Sequence, residues 1–285
     1  METKVARRSI AFALLALLSA MPLLAADPSL LVEHSAVHVA DDGAALPLGY
    51  RYRPGDTVYF DFQVSGYQQT EDREIRLAWR IDVADPQGIP LVEPSDDKLA
   101  TRLSEEDRHW MPIGRRDFTI PAYAPGGRYR ILLNVGDALA KSAAKAETFF
   151  DVDGPTGPPL ATLTIRRFRF LRSEDDTEAL DIPAYRPGDT LWARFEMAGY
   201  HLGPGNHFAL EYGLRILRSD GSLAFEQPHA ARAEDSSFYP QRSAPGVLSL
   251  HMPPDLAKGE YTLVLAVTDD TGNQAREMRQ RFSVE

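Results

Sequence analysis

The sequence predicts an all-β protein built as two tandem β-sandwiches. Three observations point there: the chain repeats itself at a nearly constant offset, apolar residues within each copy alternate with period two, and Pro- and Gly-containing turns punctuate the alternation. Seven residues make the repeat visible at once, since YRPGDTV at Tyr52 returns as YRPGDTL at Tyr185.

The N-terminal segment stands apart from both copies. Lys4, Arg7 and Arg8 lead into the apolar run IAFALLALL from Ile10 to Leu18, and Pro22 precedes the small residues Ala25 and Ala26. A basic front, a short apolar core and a small-residue exit describe a secretory signal peptide, here residues 1–26, cleaved after Ala25 or Ala26. A bilayer span takes about 20 uninterrupted apolar residues, and Ser19 and Pro22 interrupt this segment. ARRSIA matches the twin-arginine signal weakly, so general secretion is expected. No later stretch is apolar for long enough to span a bilayer, which predicts an extracytoplasmic chain, periplasmic or secreted, with no membrane insertion after cleavage.

At an offset of 133 positions, Leu30 to Tyr67 lies without a gap on Leu163 to Tyr200. At 132 positions, Phe118 to Asp137 lies on Leu250 to Asp269, and Phe150 and Val152 meet Phe282 and Val284. Each unit is about 120 residues, the size of a domain rather than of a solenoid turn. Between them, DGPTGPPLA (Asp153 to Ala161) carries three prolines and two glycines, which disfavour helix and ladder alike and mark a short, stiff linker. The expected domains are residues 27–154 and 155–285.

The first copy opens with Leu30 and Val32 on one phase and Val37 and Val39 on the other; the second does the same with Leu163 and Ile165 against Phe168 and Phe170. A bulge or a switch between sheets is needed to turn both sets inward. YRPGDT follows. Pro fixes the backbone, Gly permits a tight reversal and Asp bonds nearby N–H groups, so the phrase is a strand-entry device. The strand it introduces alternates Val58, Phe60, Phe62 and Val64 inward in the first copy and Leu191, Ala193, Phe195 and Met197 in the second. Ile75, Leu77, Trp79, Ile81 and Val83 then match Phe208, Leu210, Tyr212, Leu214 and Ile216. DPQG (Asp85 to Gly88) and SDG (Ser219 to Gly221) supply the reversals. Tyr129, Ile131, Leu133 and Val135 match Tyr261, Leu263, Leu265 and Val267. DALAKSAAKAE (Asp137 to Glu147) has a helical composition, but its counterpart DDTGNQAREMR is turn-rich, so a loop running into a strand is expected.

Short strands divided by Pro and Gly turns suit a sandwich or a barrel, and two details favour the immunoglobulin-like sandwich: an inward aromatic on the third strand and a Tyr opening a late strand. The cross-sheet disulfide of that architecture is missing, since the chain has no cysteine; Trp79 and Tyr212 are expected to fill its space. With YRPGDTV before alternating apolar residues, a Gly-containing hairpin, and then Pro…Gly-x-Tyr-x-Leu-x-Val, the chain resembles the bacterial immunoglobulin-like and macroglobulin-like β-sandwich modules of secreted proteins. The resemblance runs through nearly all of the chain after residue 26 and implies fold and an extracytoplasmic setting. Macroglobulin thioester chemistry requires a cysteine, so protease trapping is not implied.

Composition narrows function further. The formal net charge is −10, which opposes binding to a phosphate backbone and predicts no nucleic-acid partner. Without cysteine there are no disulfides, thiolate metal sites or cysteine nucleophile. No serine sits in a nucleophile elbow and no phosphate-cradling glycine loop follows a strand, so no catalytic role and no cofactor are expected.

Candidate contacts are Tyr59 and Trp192, at matching outward positions of the two copies, and the basic cluster RRFRF with Arg166, Arg167 and Arg169, followed by Arg172. An outward aromatic is a sugar- or protein-binding surface, or is covered by a neighbouring segment. A basic strand docks an acidic partner, or discourages strand addition at a sheet edge. Trp110 has no counterpart. His201 and His207 bracket LGPGN and could contribute zinc or copper ligands, with solvated loop residues as the plainer reading; His229 and His251 lie further on. DDTGN (Asp269 to Asn273) offers oxygen ligands for calcium but reads first as a hairpin turn. Together these features predict a non-catalytic binding or adaptor protein for an unidentified protein or glycan. The alternatives are a periplasmic strand-capping chaperone, which needs an exposed apolar edge strand and a basic cleft between domains, and a carbohydrate-binding or glycan-acting protein, which needs Tyr59 and Trp192 in one groove.

Overall fold

The computed structural model describes residues 29–285 apart from 42, 45 and 108, so the expected signal peptide lies outside the described residues. Among the described residues the regular structure is almost entirely strand. The first half contains β1 (Leu31–His38), β2 (Thr57–Ser65), β3 (Glu74–Ala84), β4 (Ser95–Arg102), β5 (Ile113–Thr119), β6 (Gly127–Asp137) and β7 (Ser142–Val152). These form two antiparallel sheets in the orders β1-β2-β5 and β4-β3-β6-β7. The second half contains β8 (Thr164–Leu171), β9 (Ala184–Tyr185), β10 (Thr190–Ala198), β11 (Phe208–Arg218), β12 (Leu223–Asp235), β13 (Ser243–His251), β14 (Gly259–Asp269) and β15 (Gln274–Val284). Its sheets run β13-β10-β8 and β12-β11-β14-β15-β9. Within Asp137 to Glu147, residues 138–141 form a turn and Ser142 to Glu147 already belong to β7, so this segment is a turn running into a strand.

Period two decides which side chains fill each interior. Val58, Phe60, Phe62 and Val64 of β2 are buried against Ile75, Leu77, Ile81 and Val83 of β3, and Leu191, Ala193, Phe195 and Met197 of β10 against Phe208, Leu210, Leu214 and Ile216 of β11. Each such aliphatic or aromatic side chain contributes roughly 1.5–3 kcal/mol on burial. Trp79 meets Phe62 edge-on at 5.4 Å, and Tyr212 meets Phe195 edge-on at 5.2 Å. Trp79 is only partly buried, and its indole N–H has no hydrogen-bond partner among the described residues, whereas the Tyr212 hydroxyl donates to Val247 O at 3.3 Å. Room for the phenyl rings comes from glycines one strand away: a Cβ on Gly114 would lie 2.1 Å from Phe62 Cζ, and one on Gly246 would lie 2.2 Å from Phe195 Cε2.

Both opening strands contain the expected irregularity. The β1–β2 register slips between Val32 and His34, and the β8–β10 register slips between Arg194 and Glu196, opposite Arg167, whose φ is +53°. Beyond the slips, Val37 and Phe170 are buried and Phe168 is half-buried, while Val39 lies past the end of β1 and is exposed.

The repeated phrase does more than start a strand. Asp56 accepts the Arg53 N–H at 2.7 Å and Asp189 accepts the Arg186 N–H at 2.8 Å, closing a turn in which Gly55 and Gly188 take φ of +96° and +90°. The tyrosine that opens the phrase is a core residue. Tyr52 and Tyr185 are buried, and their hydroxyls donate to His38 O at 2.7 Å and Leu171 O at 3.0 Å, fourteen residues back in each case. Their backbones bridge in parallel to Val152 and Val284 of the last strand of each half. Later tyrosines repeat the device: Tyr129 donates to Pro125 O and Tyr261 to Ala257 O, each four residues upstream.

The halves meet at a buried tyrosine. Tyr239, in the loop after β12, is buried within the first half's core, where its hydroxyl donates to Asp85 Oδ2 at 2.7 Å and its ring stacks on Tyr123 at 6.1 Å. Asp85 is also held by the Gln87 and Ile89 N–H groups, both at 2.8 Å.

Candidate functional site

The outer faces of the three-stranded sheets carry the residues that the cores leave over. Because Ala193 and Phe195 point inward, Trp192, Arg194 and Glu196 point out from β10, with Arg169 opposite Arg194 and Arg166 opposite Glu196 on β8. The register slip inserts Arg167 between these pairs. It brings a third guanidinium onto the same face.

Glu196 anchors the lower end of this face. It accepts from Arg166 Nη2 at 2.6 Å, and Arg167 Nη1 lies 3.1 Å from its second oxygen. Burial alone raises a carboxyl's pKa, but here hydrogen bonds from Arg166 and Ser243 and the charges of Arg166 and Arg167 outweigh it, and Glu196 titrates below its ordinary value. The other two arginines have main-chain partners instead. Arg169 donates to Thr177 O at 3.2 Å, and Arg194 donates to Asp176 O at 3.5 Å and to Glu174 O. Such bonds orient a guanidinium without cancelling its charge.

Between β8, β10 and the edge strand β13 lies an open hollow of about 650 Å³, lined by Arg167, Arg169, Arg194, Glu196, Pro245 and Val247. Pro245 and Val247, on the outward side of β13, supply its apolar lining. Apolar surface from Pro245 and Val247 beside three guanidiniums suits a ligand that presents carboxylates from an extended or flat surface.

The same face of the first half is built differently. Asp61 replaces Arg194, its oxygens lying 3.2 Å from His38 Nε2 and 4.0 Å from His34 Nε2, and the hollow there is about 170 Å³. Tyr59 lines that smaller hollow and is half-buried. Trp192 is half-buried on β10, between Leu171 and Ser249 of the flanking strands, and does not line the arginine hollow. Thus Arg166, Arg167 and Arg169 share one sheet face with Trp192, while Tyr59 stands on the other half.

Sequence reasoning passed over Arg194 and Glu196, although both sit at outward positions of a strand whose inward residues were assigned. It also passed over Tyr239, whose loop has no periodic signal. The remaining candidates have local partners. Asp269 Oδ1 accepts the Thr271 and Gly272 N–H groups and Oδ2 the His201 N–H, so this turn uses its carboxylate on its own backbone. His207 lies 3.1 Å from Ser236 Oγ, His229 2.9 Å from Glu211 and His251 3.4 Å from Thr190. Among the described residues no group of three or more His, Asp or Glu could hold a metal ion, and no helix is long and apolar enough to cross a membrane. At the junction of the halves the hollow is about 110 Å³, walled by prolines with Tyr123 and Tyr239.

No protein-family model matches the chain, and a search of curated proteins finds no match. Among solved structures, the C-terminal domain of the Streptococcus pyogenes antigen I/II-family protein AspA aligns at 8% identity and a TM-score of 0.29, over 88% of this chain and 98% of that one. The Streptococcus agalactiae antigen I/II polypeptide BspA C-terminal domain aligns at 10% identity and 0.29, over 88% and 100%. The Pseudomonas fluorescens alkylpurine DNA glycosylase AlkC, bound to DNA containing an abasic site analogue, aligns at 11% and 0.30, over 44% and 31%. Superpositions this distant carry nothing over to the function of this chain.

Proposed function

We propose that the chain is an extracytoplasmic, non-catalytic binding protein made of two immunoglobulin-like domains, residues 27–154 and 155–285, after a cleaved signal peptide. Its partner contact is the outer face of β8, β10 and β13, and the partner is a protein with an acidic surface. One observation carries this reading: in a chain of net charge −10, Arg167, Arg169 and Arg194 converge on a single open hollow, and the hydrogen bonds of two of them go to main-chain carbonyls. Charge of the minority sign, gathered and held in place, is a feature of recognition surfaces. Trp192 borders the face and adds apolar area to it.

Native pull-down from an extracytoplasmic fraction tests the reading, with the wild type and an Arg167→Glu/Arg169→Glu variant side by side. A partner recovered by the wild type and lost by the variant is expected. Equal recovery by both would remove this face from the proposal, and turnover of a substrate by the purified chain would overturn the non-catalytic role.

A further inference from the structure

The second half changes sign within one stretch of chain. RRFRF of β8 runs into RSEDDTE, so Arg166, Arg167 and Arg169 are followed within a few residues by Glu174, Asp175, Asp176 and Glu178. The arginine face holds this acidic loop by its main chain. Arg169 donates to Thr177 O, Arg194 donates to Asp176 O and Glu174 O, and further on Leu180 packs against the core and donates its N–H to Phe170 O at 2.9 Å. The backbone is thus pinned beside the hollow while Glu174, Asp175 and Glu178 are exposed.

Neither sign is cancelled within one chain. Arg169 and Arg194 bond carbonyl oxygens, and among the described residues Glu174, Asp175 and Glu178 form no ion pair. Arg166, Arg167, Arg169 and Arg194, less the charge of Glu196, make a basic block of net charge +3. Glu174, Asp175, Asp176 and Glu178, less the charge of Arg172, make an acidic block of −3 beside it. At the positions of Arg166, Arg167 and Arg169 the first half has Glu33, His34 and Ala36, so the basic block belongs to the second half alone.

Equal blocks of opposite charge lying side by side form a surface that is complementary to itself when turned through half a revolution. Given that the arginine face is the partner contact, we propose that its acidic partner is a second copy of the chain, related by a twofold axis between the two blocks. Glu174, Asp175 and Glu178 of each copy supply the carboxylates for Arg167, Arg169 and Arg194 of the other. Such a contact is isologous and closes at the dimer. Pro245 and Val247, the latter 37% exposed, add apolar surface to it.

Sedimentation velocity over about a hundredfold range of protein concentration reads the association directly. The wild type is expected to pass from monomer to dimer and no further, and to dissociate as salt is raised. Arg167→Glu/Arg169→Glu and Glu174→Lys/Asp175→Lys change exposed positions, and unchanged circular dichroism checks that both variants fold. Each reversal alone should weaken self-association by about tenfold or more. Mixed in equal amounts, the two variants should form a heterodimer, because the reversed block of each then meets its opposite on the other. A wild type that stays monomeric, growth beyond the dimer, association that either reversal leaves unchanged, or a mixture that stays monomeric overturns the proposal. A monomeric wild type that still retains a different protein in the native pull-down, lost by the arginine variant and kept by the Glu174/Asp175 variant, would leave the binding face standing and remove only the second copy as its partner.

Discussion

Phe62, Gly114 and Trp79 in the first half occupy the same three places as Phe195, Gly246 and Tyr212 in the second, each ring lying over a glycine and meeting an aromatic edge. On the other side of the same strands the likeness ends, for Asp61 faces His38 where Arg194 stands among Arg167 and Arg169. Inward positions are constrained by volume, since a close-packed interior tolerates few changes of size. Outward positions answer only to solvent and to whatever binds there. The contrast teaches where to look for function in a duplicated fold: at the places where two copies of one scaffold differ.

The glycines test the equivalence of the interiors most severely. Gly114→Ala and Gly246→Ala each force a methyl into a phenyl ring, and each is expected to destabilise its half by about 1–3 kcal/mol in urea denaturation. Similar losses in both would uphold the equivalence, and a neutral result in one would break it. A smaller effect is expected at the repeated phrase. Tyr52→Phe and Tyr185→Phe remove the hydroxyls that satisfy His38 O and Leu171 O, at a cost of about 1 kcal/mol each, and matching shifts in denaturation midpoint check it.

The smallest effect sharpens the difference outside. Glu196 titrates below its ordinary value of 4.5 in the folded chain, so its ion pairs contribute fully above that value. Their contribution is lost as pH falls through the lowered folded value. Acid denaturation of Glu196→Gln should therefore be flatter below pH 4.5 than that of the wild type. Gln63→Glu, at the matching position of the first half, should not reproduce the wild-type slope, because His34 and Ala36 stand there in place of Arg167 and Arg169.

Much of this architecture is legible in the residues. Strand positions and their inward faces follow from alternation in β2, β3, β10 and β11, and the slips in β1 and β8 follow from the break in phase at Val37 and Phe168. What escaped has a common physical cause. The hydroxyl bonds of Tyr52 and Tyr185 span fourteen residues, and the space that Gly114 leaves for Phe62 depends on the packing of neighbouring strands, so neither has a local pattern. The same holds for the site. Arg166, Arg167 and Arg169 are adjacent in sequence and visible as a cluster, whereas Arg194 joins them only through strand pairing. Tyr59 and Trp192 share a register position, yet duplication puts them on separate halves rather than in one groove.

Tyr239 makes the two halves unequal partners in stability. Its backbone belongs to the C-terminal half, but its ring completes the N-terminal interior against Tyr123 and Asp85. Cutting the chain at the proline linker would leave the N-terminal piece with an unfilled notch and a buried carboxylate oxygen deprived of its hydroxyl donor, while the C-terminal piece would merely display one more aromatic to water. The repeat gives two similar pairs of sheets, and the side chain that the first borrows from the second makes it depend on its neighbour.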